Sequence, residues 1–411
     1  MKAAETQYKV YGYRWIILLV FFLINMIIQM QWLTFAPIAR EARLVYSATP
    51  FQIDLLSMIF MGVFLVVCLP ASYILDKFGI RIGVGIGAVL TGVFGLTKGV
   101  FADSYTMVII SQIGLAVAQP FILNAVTKVA VHWFPINERA TAVGVATLAQ
   151  FVGMIAVNIA TPLMITKSGE SYDLQRMLLI YGIISAACAA LLIIFLREYP
   201  PTHPGPEGDE ERLLTWDGIK HIFQHREMLL VILIFFIGLG MFNAIATCID
   251  QISEIKGFTI DQSGMIMGIM LITGVVGAVI LPPLSDRFRR RKPFLVAAML
   301  LMLPGLVGLT LFNTYPLMLV SAGILGFFLL GAGAPVGFQY CAEISYPAPE
   351  SLSQGIVLLA GQISGIIFII GMNGVGMIRS LFFFIALAAV NIVITLLLKE
   401  SPRILSGGKE V

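Results

Sequence analysis

Charge is scarce in this chain: only 12% of its 411 residues are Asp, Glu, Lys or Arg. Soluble domains carry about 25%, so there is too little to cover a water-facing surface. Cysteine is sparse too. Cys68, Cys188, Cys248 and Cys341 lie in separate apolar runs without metal-ligand spacing, which argues against a metal centre or a disulfide framework. The four histidines, His132, His203, His221 and His225, sit at or beyond the edges of those runs, leaving no central axial ligand for haem. No Ser/His, paired-Asp or metal constellation stands near an interface, so no catalytic residue and no cofactor is assigned and the chain is not read as an enzyme. No ionisable residue is placed at mid-depth of any run.

What the sequence has in abundance is length of apolar run. Hydrophobic residues make up 58% of it, in stretches of about 20, enough to cross roughly 30 Å of hydrocarbon as a helix. Such runs are too long for barrel strands, and a backbone in lipid must satisfy its own hydrogen bonds. The expected fold is therefore an all-α integral membrane protein with twelve transmembrane helices. The polar stretch "REYPPTHPGPEGDEERLLTWDGIKHIFQHRE" separates six spans from six. The expected organisation is a short N-terminus (1–14), a six-helix bundle (15–197), a linker (198–226), a second bundle (227–398) and a tail (399–411). "TWDGIKHIFQ" reads as an amphipathic surface helix. Most of the 26 Lys/Arg fall on the side of the termini, so termini and linker are expected in the cytoplasm of a multi-pass cell-membrane protein. The first apolar run is too long for a signal-peptide core, so the N-terminus is read as retained.

Two echoes link the halves. "SYILDKFGIR" carries Asp76, Lys77, Gly79 and Arg81; "LSDRFRRRKPF" carries Asp286, Arg287, Arg289 and Arg291 at the same spacing, 210 residues later. "WFPINERATAVGVATLAQFVG" from Trp133 returns as "SYPAPESLSQGIVLLAGQISG" from Ser345, matching Glu138 to Glu350, Gln150 to Gln362 and Gly153 to Gly365. A repeat of six spans is the mark of a transporter built from two parallel halves, hence two bundles related by a pseudo-two-fold axis. The basic loop between spans eight and nine is too short to track a phosphate backbone, so no nucleic-acid partner is expected. An Asp followed by Lys/Arg can lock two helix ends together and release them; it can also simply mark topology. The candidate gating residues are Asp76, Lys77, Arg81, Lys128, Glu138, Arg139, Asp286, Arg287, Glu343 and Glu350. Lys128 and Glu343 are the deepest charges. They either snorkel or pair with each other across the halves.

These loops resemble the signature of the major facilitator superfamily, with Ser72 in place of the leading Gly and Ile80 in place of one Arg. "QPFILNAVTKVAVHWF", "AEISYPAPESLSQGIVLLAGQISGIIF", "LDKFGIR" and the pair Gln31–Trp32 are similar to segments of the feline leukaemia virus subgroup C receptor family, solute carrier group 49. That resemblance implies facilitated movement of choline or ethanolamine, with haem export in some members.

The pore reading starts from amides. Gln150 and Gln362 lie about 18 Å into spans five and eleven. Gln119, Gln31 and Asn243 lie at comparable depth, and Asn124 follows Gln119 by five residues. Buried amides need partners, either another helix or a wet cavity. Five at one depth favour a polar cavity. With Trp32 as an aromatic face, it suits a small organic cation. Trp32 alternatively anchors an interface. By the family pattern Asn243 stands where a tyrosine is expected. The resulting reading is a monomeric alternating-access carrier of a small-molecule substrate, facilitative rather than ion-driven. A proton- or sodium-coupled carrier of another metabolite and a non-transporting membrane receptor are the alternatives.

Overall fold

The computed structural model describes residues 10–135, 138–168, 171–202, 215–346, 348 and 350–401. Part of the expected linker (203–214) and both chain ends lie outside them. Among the described residues nearly everything is helical. The helices are α1 Arg14–Trp32, α2 Ala39–Tyr46, α3 Pro50–Val100, α4 Tyr105–Leu123, α5 Val126–Trp133, α6 Arg139–Met164, α7 Leu174–Phe195 and α8 Thr215–Gln224. They continue as α9 Arg226–Ile255, α10 Ile260–Phe288, α11 Lys292–Leu311, α12 Tyr315–Phe328, α13 Ala334–Ile344, α14 Glu350–Val375 and α15 Met377–Leu397. A two-stranded antiparallel hairpin, β1 Thr166–Ser168 and β2 Ser171–Asp173, joins α6 to α7.

Eleven helical stretches among the described residues are long and apolar enough to cross a bilayer. One of them, α3, has 51 residues and a non-helical break at Gly79 (φ 85°, ψ 175°). At 1.5 Å per residue its length is roughly 76 Å, more than twice the hydrocarbon thickness. Two crossings meeting at Gly79 bring the eleven to the expected twelve. Side chains such as Val66, Leu69, Leu163, Ile194 and Val279 are more than 60% exposed, the surface a protein presents to lipid rather than to water.

Local chemistry fixes the ends. Ser104 and Asp173 accept backbone N–H bonds at the starts of α4 and α7. Thr259 and Gln262 form a reciprocal capping box at the start of α10. Each satisfies amide groups that a helix start leaves open. Between α12 and α13, Leu329–Gly333 widens into a π turn. There Gly331 touches Gly277 of α10 so closely that a Cβ would come within 2.5 Å of the Gly277 Cα.

The described chain forms two compact units. The first comprises residues 1–32, 63–156 and 164–210, the second 33–62, 157–163 and 211–411, described residues only in each case. In the first, α1 packs on α4 and α7; in the second, α9 packs on α14 and α15, and α10 on α12. Repeat-related glycines serve the same purpose in each. Gly153 of α6 lies against the Met26 carbonyl of α1, and Gly365 of α14 lies against Asn243 of α9.

Candidate functional site

In the first unit the expected amides lie on α1, α4 and α6. Gln29 donates to Gln150 Oε1 at 3.4 Å. Gln31, 1% exposed, donates to Ser185 Oγ of α7 at 2.8 Å. Asn124 donates to Ser72 Oγ at 2.9 Å and to the Cys68 carbonyl at 3.1 Å. Gln31 and Asn124 thus tie helices together, work that any membrane bundle assigns to amides. Gln119 is buried, as is Trp32. Trp133 is buried with its indole N–H on the Arg197 carbonyl at 3.1 Å.

In the second unit Asn243 donates to the Gly361 carbonyl at 3.2 Å, one residue before Gln362. Gln362 is half-buried. A cleft lined by Ile234, Phe235, Leu239, Phe242, Met299 and Leu330 is apolar throughout and holds none of the expected amides. The structure therefore brings Gln29 to Gln150 and Asn243 to the α14 backbone.

The charged loops form one device in each unit. In the first, Asp76 pairs with Lys128. Glu198, just past α7, accepts from the backbone N–H groups of Ile80 at 3.0 Å and Arg81 at 2.7 Å. It thereby caps the limb of α3 that starts after Gly79. Lys77 reaches the Tyr73 hydroxyl and lies over the Tyr73 and Phe78 rings. Arg14 pairs with Glu138, and Arg139 donates to the Phe134 carbonyl. In the second, Arg291 pairs with Asp286 at 2.5 Å and Glu343 at 2.9 Å. Glu400, just past α15, accepts from the N–H groups of Arg291 at 2.7 Å and Lys292 at 3.1 Å. Burial alone would lower the Arg291 pKa, but Glu343 and Asp286 outweigh it and raise it. Arg287 is exposed, and the Glu350 side chain lies outside the described ones.

Lys128 and Glu343 are each engaged by the aspartate loop of their own unit, Lys128 by Asp76 and Glu343 by Arg291. Spacing in the sequence identified two deep charges but not their partners. Glu198 and Glu400 were not anticipated, although "LREYP" and "LKESP" were a readable echo.

Buried charge near the ends of spans was also missed. In the second unit Asp54, 2% exposed, accepts from Gln251 Nε2 at 2.6 Å, Asn373 Nδ2 at 2.7 Å and Cys248 Sγ at 3.4 Å. Arg40 binds Asp250, whose side chain is fully buried. In the first unit Lys98 is fully buried, with Gln112 Oε1 at 3.3 Å. None is central in its helix, but carboxylates with built surroundings do exist within the spans.

The sequence profile of the Major Facilitator Superfamily matches residues 17–251 and 230–410. The chain belongs to that superfamily. It is a multi-pass membrane transporter by fold and kinship. Solute carrier family 49 member A3 of Danio rerio is 30% identical over 388 residues, covering 89% of this chain and 79% of that protein. The human choline/ethanolamine transporter FLVCR2 is 28% identical over 380 residues, covering 88% and 72%. The kinship with solute carrier group 49 read from the motifs therefore holds. Among solved structures, an inward-facing, unoccupied bacterial homologue of the lysosomal transporter Spinster superposes with TM-score 0.77 at 14% identity, covering 98% of this chain and all of that one. A D-xylose–proton symporter gives 0.70 at 15%, covering 97% and all of it. At that identity these two speak for the superfamily fold alone.

Proposed function

We propose that this transporter is a facilitative carrier of a small organic cation or amine, choline or ethanolamine being the leading candidates. The observation that carries the reading is the chemistry of the interior: buried Gln119 and Trp32, the Gln29–Gln150 contact, and Asn243 beside Gln362 are neutral polar or aromatic groups. An amide carbonyl or an indole face can replace the weak hydration of an alkylammonium, cation–π attraction contributing about 0.5–2 kcal/mol. The names of FLVCR2-type relatives point to the same substrate class. Trp32, Gln119, Gln150, Asn243 and Gln362 are the proposed contacts. Gln31 and Asn124 move to a supporting role, since both are engaged between helices. The Asp76–Lys128 and Asp286–Arg291–Glu343 groups, with Arg14–Glu138, are the proposed gating contacts, in a monomer whose termini face the cytoplasm of the cell membrane.

The decisive experiment is uptake of labelled choline and ethanolamine into proteoliposomes, with and without a collapsed proton gradient. Uptake that survives collapse, together with a raised KM in Gln362→Ala, supports the reading. Absence of uptake of either solute sinks it. One observation favours a second reading, proton coupling: Asp54 is a buried carboxylate whose hydrogen-bonding partners are all uncharged. Ionisable groups kept inside membrane spans commonly serve ion coupling. Uptake abolished by gradient collapse, and made independent of the gradient by Asp54→Asn, would establish it.

A further inference from the structure

The basic loop of the second unit holds more positive charge than its structural task uses. The first unit supplies an internal control. There the turn between two spans is held by Asp76–Lys128 and by Glu198 on two backbone N–H groups, and its own basic residues are Lys77 and Arg81. The second unit does the same task with Asp286, Arg291, Glu343 and Glu400. Arg291 is consumed by it, its side chain only 4% exposed.

Three arginines remain: Arg287, Arg289 and Arg290, all exposed. Among the described residues none of the three has a carboxylate within ion-pair distance. Their backbone is pinned. Arg289 ends α10 in the left-handed conformation (φ 50°), its N–H on the carbonyls of Asp286 and Ser285. Ser285 Oγ donates to the Arg290 carbonyl at 2.7 Å. The turn therefore presents three guanidinium groups from a fixed frame, where two apolar helices leave the membrane. Phe288, 64% exposed, sits among them, as Phe78 does at the matching place in the first unit.

We propose that Arg287, Arg289 and Arg290 form a binding site for the phosphate of an anionic phospholipid headgroup, in the leaflet that this end of α10 and α11 meets. Guanidinium groups match phosphate oxygens with paired N–H donors. Basic side chains at a membrane surface each add about 1 kcal/mol toward anionic lipid, roughly fivefold in affinity per residue. The lipid bound here lies one residue from Asp286 and Arg291, and so adjoins the ion network that joins α10, α11 and α13.

The test uses the purified full chain in neutral detergent. It is titrated with short-chain phosphatidylserine, phosphatidylinositol bisphosphate and phosphatidylcholine, bound lipid being read by native mass spectrometry. The expected result is anionic lipid bound in preference to phosphatidylcholine, weakened by salt, and weakened at least tenfold in Arg287→Gln/Arg289→Gln/Arg290→Gln. The matching change Lys77→Gln/Arg81→Gln is expected to leave binding intact. Equal binding of all three lipids overturns the proposal, as does equal loss in both variants. Inositol hexakisphosphate binding as tightly as the lipids would assign the site to soluble phosphate and overturn it too. The lipid and salt series on the unmodified chain keeps the proposal falsifiable if the triple variant does not fold.

Discussion

Arg40 and Asp250 stand 210 residues apart in the chain and share four hydrogen bonds in the second unit. The Asp250 Oδ1 atom accepts from Arg40 Nε at 3.0 Å and Nη2 at 2.7 Å, Oδ2 accepts from the Arg40 backbone N–H at 2.8 Å, and Nη2 also reaches the Asp250 carbonyl at 3.3 Å. Arg40 Nη1 adds the Phe258 carbonyl at 2.7 Å. Removing one partner leaves a buried charge uncompensated, which costs about 3–5 kcal/mol. Arg40→Met is therefore expected to lower the unfolding temperature in detergent sharply. The double change Arg40→Met/Asp250→Leu is expected to recover part of the loss, because the orphaned carboxylate is gone. A double variant worse than the sum of the single ones would contradict this account.

Asp54 takes its hydrogen bonds from three uncharged donors. In Asp54→Asn one carboxylate oxygen is replaced by an NH2 group that faces either Gln251 Nε2 or Asn373 Nδ2. A buried donor facing a donor costs about 1–3 kcal/mol. Lower thermal stability is expected for Asp54→Asn, and Gln251→Glu, placing two carboxylates in contact, is expected to be worse. Thermal unfolding of the purified variants orders them.

The two glutamate caps are expected to behave as a matched pair. Glu198→Gln and Glu400→Gln each keep shape but give up a charge-assisted acceptor at the start of a helix limb, worth about 0.5–2 kcal/mol. Since the two caps share no partner, the effects should add in the double variant. Strong non-additivity in unfolding midpoints would show that the caps communicate.

Three glycine-to-alanine changes test how tightly the helices are drawn together. A Cβ at Gly153 would stand 2.1 Å from the Met26 carbonyl oxygen, one at Gly365 3.0 Å from Asn243 Cβ, and one at Gly371 would meet nothing within 4 Å. The expected order of damage is Gly153→Ala, then Gly365→Ala, with Gly371→Ala neutral or slightly stabilising. Overpacking costs about 1–3 kcal/mol where neighbours cannot yield. Yield of folded protein and unfolding midpoint give the ranking.

The crossings were legible because lipid imposes one simple rule, about 20 apolar residues in succession, and the chain obeys it twelve times. The loop echoes were legible because both units cap the same helix limb by the same chemistry. Partners were not. Lys128 could be seen to be deep, but only folding shows that Asp76 meets it. Asp54, Lys98 and Asp250 were overlooked because each lies near a span's end, where a single charge reads as a boundary; the structure shows all three buried. The Glu198–Glu400 echo escaped because it recurs after 202 residues rather than 210. Unequal loop lengths put it out of step with the rest of the repeat.

The break at Gly79 carries an obligation beyond its own turn. The absent Cβ leaves room that the Glu198 carboxylate occupies, all three of its terminal atoms within 2.6 Å of where that carbon would be. An alanine there would meet both a disfavoured positive φ and an acid group in its place. Position 79 is thus coupled to a residue 119 positions away, whose carboxylate a side chain there would push aside. The second unit turns the same corner with Arg289 in the left-handed region and Glu400 as its acid, so the glycine is one of two solutions the chain itself contains.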